Sequence, residues 1–435
     1  MFDEYGGGRF LLRISIHTYG TRGDVQPYIA LGKELLRGGH AVQIVGPQKY
    51  GSLALPHGVP YEPLPDEMLD LLDSPEGKQA LGGRGALAGL WLLKHIRPLM
   101  NNLLSREWSA AHAFWPDMII YHPKSIASPH MAERVGCRSV LASPLPILTP
   151  TSAFPTPMVP FRTLGPLNRA SHRMTEWLSL RLFSKNLSQW RKRSLGLPEY
   201  FAVPQKPART LYAYSRFLVP RPKDWGQDVH VTGTWWLDEP NWKPSPELEA
   251  FLSSGPPPVY LGFGSMPSLG KIDLTTLLVE AISRLGKRAI LATGGGALGN
   301  VAASPNLFLA SRVPHDQLFP HVDAVIHHGG AGTTAAALRA GKPSVICPFF
   351  GDQPFWAHRV HSLGAAPPAL DLKRLTVDKV VTAIRAMDDP HIRSRASQLG
   401  SEMRSEGGVR DAIGILEELD RLQSLNSGST SPEKR

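Results

Sequence analysis

Two short runs in the second half of the chain carry residue types suited to holding phosphate and sugar hydroxyls. The first, HHGGAGTTAAALRAG, spans His327 to Gly341 and follows the apolar run DAVI. Its small residues, Gly329, Gly330 and Gly332 among them, let the backbone come close to a ligand. A helix starting there would aim its free N–H groups at the same point, making an anion site able to hold a diphosphate. His327 and Thr333 add side-chain donors. The helix dipole contributes roughly 0.3–1 kcal/mol at an exposed site and up to ~2 kcal/mol when partly buried. A tight strand–helix turn with glycines kept for packing would use the same residues. The second run, PFFGDQPFWAHRV, places Asp352 and Gln353 just after a glycine. A sugar hydroxyl both donates and accepts, so a carboxylate beside an amide is the pair it needs. Asp352 could instead be a helix N-cap.

Two further loops could complete a site. Asp24, in GTRGDVQP, is a carboxylate just ahead of a helical pattern. It reads either as an N-cap or as a general base facing a cleft, and cations such as Arg22 could move its pKa in either direction. Ser265, in GFGSMP, could donate to a phosphate or only shape the loop. His17, His122 and His130 lack metal-ligand spacing and read as isolated histidines. Asp117, before MIIYH, reads as a loop or capping residue.

These loops need strands and helices to hold them. FLLRISI (10–16) is a short apolar run suited to a buried parallel strand. Val25, Ile29, Gly32 and Leu36 then recur every three or four residues, an amphipathic helix stopped at Gly38–Gly39. AVQIVGP (41–47) is the next strand. This is a βαβ unit, whose ligand belongs at the carboxyl ends of the strands. The second half repeats the logic, with strands at 258–264, 288–294, 307–313, 323–328 and 344–350 and a helix over 271–285. The expected architecture is α/β, two Rossmann-like doubly wound domains facing a cleft. The first covers 1–230 and the second 231–408. A helix over 409–423 returns to the first domain, and 424–435 forms a disordered tail. The proline- and tryptophan-rich stretch 235–258 is the linker. Segments 74–115 and 145–215, with their prolines, aromatics and basic residues, are expected to be irregular and to line an acceptor side.

The bulk properties narrow the partners. The 435 residues suit two domains of roughly 200 each. Two cysteines, Cys137 and Cys347, cannot form a disulfide framework, which points to a reducing, cytoplasmic setting. No apolar stretch reaches the roughly 20 residues of a membrane span. The net charge of +10 is spread along the chain without a nucleic-acid motif, so nucleic acid is not expected as a partner. Trp177 to Arg193 interleaves aromatic and basic residues, giving two readings: peripheral contact with an anionic membrane or lipid-like acceptor, or a helix packing its apolar stripe inward.

In order along the chain, GTRGDVQPYIALGKELLRGGHAV, VTGTWWLD, VYLGFGSM, VPHDQLFPHVDAVIHHGGAGTT and PFFGDQPFWAHRV resemble the sterol and polyketide glucosyltransferases of the GT-B fold, in the UDP-glycosyltransferase superfamily. TSAFPTPMVP and GPLNR…WRKRSLGLP look like the sterol branch in particular. The resemblance covers about 11–420 and implies an inverting transfer of a hexose, glucose foremost, from a UDP-sugar to a hydroxyl of a hydrophobic acceptor. By position, Asp24 is the implied base, and His327, Gly332, Thr333 and Ser265 the diphosphate contacts. Asp352 and Gln353 hold the sugar, while Val313 and His315 read the uracil. Thr21, Arg22, His122 and Phe154 are expected on the acceptor side. The chain departs from its relatives at Gln317, where VPHDW would be expected. With no suitably placed DxD motif, no metal and no cofactor beyond the co-substrate UDP-sugar are expected. The rival readings are a UDP-sugar epimerase and a non-catalytic nucleotide-binding partner of another transferase.

Overall fold

Short apolar runs flanked by helical patterns bury both faces only when they lie side by side in parallel, covered by helices above and below. The structure, a computed structural model, describes residues 11–74, 76–77, 86–199, 206–239, 241–264, 266, 274–293, 301–311 and 313–428, the backbone alone at 86–90, 92–93 and 422–428. Among them are seven strands of a first sheet: β1 (Arg13–His17), β2 (Ala41–Pro47), β3 (Tyr61–Leu64), β4 (Met118–Tyr121), β5 (Arg138–Ser143), β6 (Arg209–Tyr212) and β7 (Val229–Val231). They lie in the order β3-β2-β1-β4-β5-β6-β7, every pair parallel. A second, also parallel, sheet holds β8 (Val259–Gly262), β9 (Ala289–Ala292), β10 (Leu307–Ala310), β11 (Ala324–His327) and β12 (Ser344–Ile346) in the order β10-β9-β8-β11-β12. Each order reverses beside its first strand. In such sheets the crevice at that reversal receives the ligand. Here it lies between β1 and β4, and again between β8 and β11.

The core follows the sheets. Ile14, Ile16, Val42, Ile44 and Ile120 pack under the helix Arg22–Arg37, joined by Val409, Ala412, Leu416 and Leu419 from the last helix, Val409–Gly428. The chain's end therefore returns to the first domain. That helix runs past residue 423 to Gly428, so 424–428 are helical where a tail was expected; 429–435 lie outside the described residues. A further cluster joins the domains, with Tyr212, Tyr214 and Trp225 of the first against Trp356, Ala357 and Leu399 of the second.

Two expectations are corrected. The stretches 74–115 and 145–215 contain the long helices Ala86–Phe114 and Asn168–Leu195. Pro98 lies within the first of these. The second was hidden because it buries Leu187 and Trp190 while exposing Met174, Trp177 and Leu178, which erases the 3.6-residue signal. The linker likewise contains a helix, Pro246–Ser253, capped by the Ser245 side chain accepting from the Leu248 N–H (3.3 Å). Among the described residues no helix is long and apolar enough to cross a membrane.

Candidate active site

The helix Arg22–Arg37 begins at the carboxyl end of β1, and Asp24 sits in its first turn. The N-cap is Thr21 and not Asp24, which stands at the third helical position: its Oδ2 accepts from the Thr21 N–H (2.7 Å) and hydroxyl (3.0 Å), as in a capping box. The same oxygen accepts from Lys124 Nζ at 2.8 Å. Oδ1 lies 3.2 Å from His122 Nε2. His122 and Lys124 follow β4, so the two strands at the reversal bring carboxylate, imidazole and ammonium together. The Lys124 backbone N–H donates to His122 Nδ1 (3.1 Å), which leaves the imidazole hydrogen on Nε2, pointing at Asp24. Gly20 makes room: its φ is +138°, and a Cβ there would stand 2.2 Å from Asp24 Oδ2. Burial pushes the Asp24 carboxyl up, but Lys124 and then His122 outweigh it and hold it well below the usual carboxylate range. Asp24 is therefore ionised at any physiological pH. His122 is driven down by burial and is neutral.

On the second domain, β11 ends at His327 and the helix Ala331–Arg339 starts at Gly330. The N–H groups of its first turn have no partner within the helix. Gly330, Ala331, Gly332 and Thr333 line a cavity of about 990 Å³ whose other wall holds Thr21, Arg22 and Gly23 beside Asp24. The glycine-rich turn and the loop of the carboxylate thus share one crevice. His328 also lines it, whereas His327 is fully buried with Nδ1 accepting from the Gly329 N–H (3.0 Å). Strand alternation turns His327, expected as a diphosphate contact, into the core and its neighbour His328 outward. Burial takes the His328 pKa down to about 4. Gly329, with φ +90°, serves packing, since a Cβ would meet Ile346 Cγ2 at 2.7 Å. Gly332 has open space where a side chain would be.

Asp352 precedes the helix Gln353–Ser362, but its side chain caps nothing; Oδ2 accepts from the Trp356 indole N–H at 2.8 Å. Burial, opposed by that indole and reinforced by the Asp24 charge, raises its pKa. Gln353, expected to hold the sugar, is buried beside Asp352. Its Oε1 accepts from the Phe349 and Phe350 N–H groups (2.7 and 3.2 Å), and its amide faces Met266 Sδ at 3.1 Å, so it ties down its own loop. Val313 and His315 both line the cavity, with His315 stacked on Phe319 at 4.4 Å. Burial brings the His315 pKa to about 4. Gln317 also lines it, its amide donating to Asp316 Oδ2 (2.8 Å). Ser265 lies outside the described residues.

The acceptor-side expectations divide. Thr21 and Arg22 line the cavity, and Arg22 pairs with Glu239 at 3.1 Å. His122 is buried behind Asp24, with Nε2 3.2 Å from Oδ1. Phe154 lies away from the main cavity, in a smaller one of about 310 Å³ with Arg221 and Arg359. The sequence reading missed Lys124, His328 and the Trp356 indole. The other histidines do not converge, since His17 faces Ser15 at 2.8 Å and His130 faces Arg191 at 2.9 Å. Ser15, His17 and Glu107 have the order of a nucleophile relay, but all are at most 1% exposed and no substrate reaches them. Burial pushes the Cys347 thiol up to about 12, leaving it inert.

Comparison with known proteins bears on this geometry. Residues 14–118 match the glycosyltransferase family 28 N-terminal domain, and 276–419 match the erythromycin biosynthesis protein CIII-like C-terminal domain. A sterol 3-beta-glucosyltransferase of Arabidopsis thaliana is 34% identical over 92% of this chain and 64% of its own. The O-mycaminosyltylonolide 6-deoxyallosyltransferase of Streptomyces fradiae is 34% identical over 94% of this chain and 97% of its own. The chain spans about two thirds of the plant relatives' length and 28% of a sterol 3-beta-glucosyltransferase of Cryptococcus neoformans. Among solved structures, the glycotransferase of kitacinnamycin superposes with TM-score 0.71 at 20% identity, covering 94% of this chain and 99% of its own. The glycosyltransferase VinC in complex with DTDP does so with TM-score 0.63 at 19%, covering 93% and 98%. These two share the fold.

Proposed function

The chain belongs to the UDP-glycosyltransferase superfamily of GT-B fold, in its sterol and polyketide branch, and on that premise we propose that it moves a hexose from a UDP-sugar to a hydroxyl of a hydrophobic acceptor, with inversion. The observation that carries the reading is the shared crevice, in which the loop of a buried, ionised Asp24 faces the glycine-rich helix start. Asp24 takes the proton of the acceptor hydroxyl as its oxygen attacks the anomeric carbon. The bond to UDP breaks on the opposite face, and the diphosphate gains charge. That charge meets the free N–H groups of residues 331–333, the Thr333 hydroxyl and His328, donors fixed before the reaction begins. Asp352, held by the Trp356 indole, keeps one oxygen for sugar hydroxyls. Glucose as the sugar and a sterol or macrolide-like acceptor follow the relatives' names.

The test is Asp24→Asn. General-base help is typically worth 10²–10⁴-fold, so kcat should fall by that order. UDP-sugar binding by calorimetry should stay near wild type, because the donor lies against the other domain. An unchanged kcat would take the base role from Asp24. No observation favours the epimerase or the non-catalytic partner, and conversion of UDP-sugar alone would revive the first.

A further inference from the structure

We propose that the loop 155–167 and the outward face of the helix Asn168–Leu195 form a docking surface for an anionic lipid bilayer. Six of the ten large hydrophobic side chains exposed among the described residues fall here: Met158, Phe161, Leu167, Met174, Trp177 and Leu178. Trp177 and Leu178 are 58% and 59% exposed. An apolar cluster of this kind left in water marks an interaction site. The loop is tied down, since Thr156 N–H donates to Ser171 Oγ (2.9 Å) and Leu164 N–H to Asn168 Oδ1 (2.8 Å). His172 bridges the Ile147 and Phe154 carbonyls at 3.2 and 3.1 Å. The exposure is therefore a built feature of the fold.

Charge selects the occupant. Arg169, Arg173, Trp177, Arg181 and Lys185 recur every four residues and are all exposed, one row along the helix, with Met174 and Leu178 alongside. From Pro155 to Pro198 there are eight Lys and Arg and a single acid, Glu176, which is half-buried. None of Arg162, Arg169, Arg173, Arg181 and Lys185 pairs with a carboxylate among the described residues. Basic side chains around aliphatic and aromatic ones match the boundary between phosphate headgroups and acyl chains. Nucleic acid would supply the phosphates but no partner for the Leu and Met side chains. The other half of the helix packs inward: Leu187 and Trp190 are buried, and Arg191 binds Glu133 at 2.7 and 2.6 Å. The surface thus lies towards the start of the helix.

Its place beside the cleft rests on the proposed function. Phe154, where the loop begins, has its ring centroid 5.6 Å from that of Phe355, next to Trp356, which ties the loop to the helix that follows Asp352.

The test is sedimentation of the full chain with vesicles of phosphatidylcholine alone, or mixed with phosphatidylserine, without donor or acceptor. Wild type should pellet with the mixed vesicles and hardly with the neutral ones. Arg169→Gln with Arg173→Gln should weaken binding by on the order of 25-fold, about fivefold per charge. Trp177→Ser with Leu178→Ser should abolish it, and both variants should keep the wild-type Tm because the replaced side chains are exposed. Equal pelleting with both vesicle types overturns the proposal, as does wild-type binding by the Trp177/Leu178 variant. A dimer dissolved by that variant would also overturn it, by assigning the face to a second copy. Transfer to an acceptor in detergent micelles, measured alongside, separates the two readings. Vesicle binding without any transfer leaves the docking surface and removes the enzyme, whereas transfer without vesicle binding does the reverse.

Discussion

Three donors converge on Asp24 Oδ2 and one on Oδ1, and only the ammonium of Lys124 among them carries a full charge. A base so held is ionised but weak, because proton affinity rises as the partner cation is withdrawn. The Lys124 side chain is 53% exposed, so its substitution disturbs little of the core. Lys124→Met should move the acid limb of the kcat–pH profile upward. The sign follows from the depression: the wild-type carboxylate protonates only far below neutrality, and without the cation its pKa returns towards the ordinary range. Lys124→Arg should restore the wild-type limb. An acid limb unmoved in the methionine variant would show that Lys124 does not tune the base. Asp24 and Asp352 were legible in the sequence because each stands in a short run whose neighbours are local. Lys124 was not, since its partner lies a hundred residues away and meets it only through the β1–β4 pairing. The choice between His327 and His328 turned on strand phase at a single position, which two adjacent histidines cannot reveal.

At the scale of elements, the turn from β11 into its helix uses its glycines in two ways. Gly329 is packed against Ile346 with positive φ, whereas Gly332 faces open cavity in helical conformation. Gly329→Ala should lower Tm, because the backbone and the neighbouring strand both resist a Cβ. Gly332→Ala should keep or raise Tm, alanine being better by roughly 0.5–1 kcal/mol in a helix. It should nevertheless raise KM for the UDP-sugar, since the added methyl stands where the diphosphate is expected. Thermal melts and donor kinetics on the pair check this, and the same response from both would refute the division. The parallel strands were readable because runs such as AVQIVGP are apolar on both faces and end at turn residues. The helix Asn168–Leu195 was not, because it buries Leu187 and Trp190 on one side while showing Met174 and Trp177 on another.

At the scale of the whole molecule, polar links join the two domains near the site. Arg22 Nη2 lies 3.1 Å from Glu239 Oε1, and the Glu239 N–H donates to Asp316 Oδ2 at 2.9 Å, so one residue joins the helix of Asp24 to the loop of His315. Both ion-pair side chains are about one-third exposed, at 37% and 33%, and such pairs contribute about 0–1 kcal/mol. The fold does not depend on this link, because the apolar cluster around Tyr214 and Trp356 already joins the domains. Its effect should lie in how firmly the crevice closes, and positional errors of about 1 Å can cost 10²-fold in rate. Glu239→Ala should therefore leave Tm close to wild type while raising donor KM several-fold and lowering kcat, with the KM effect fading as salt screens the wild-type pair. Calorimetry and steady-state kinetics at two ionic strengths check both halves. A large fall in Tm with unchanged kinetics would make Glu239 a structural strut and leave closure to the apolar contact alone.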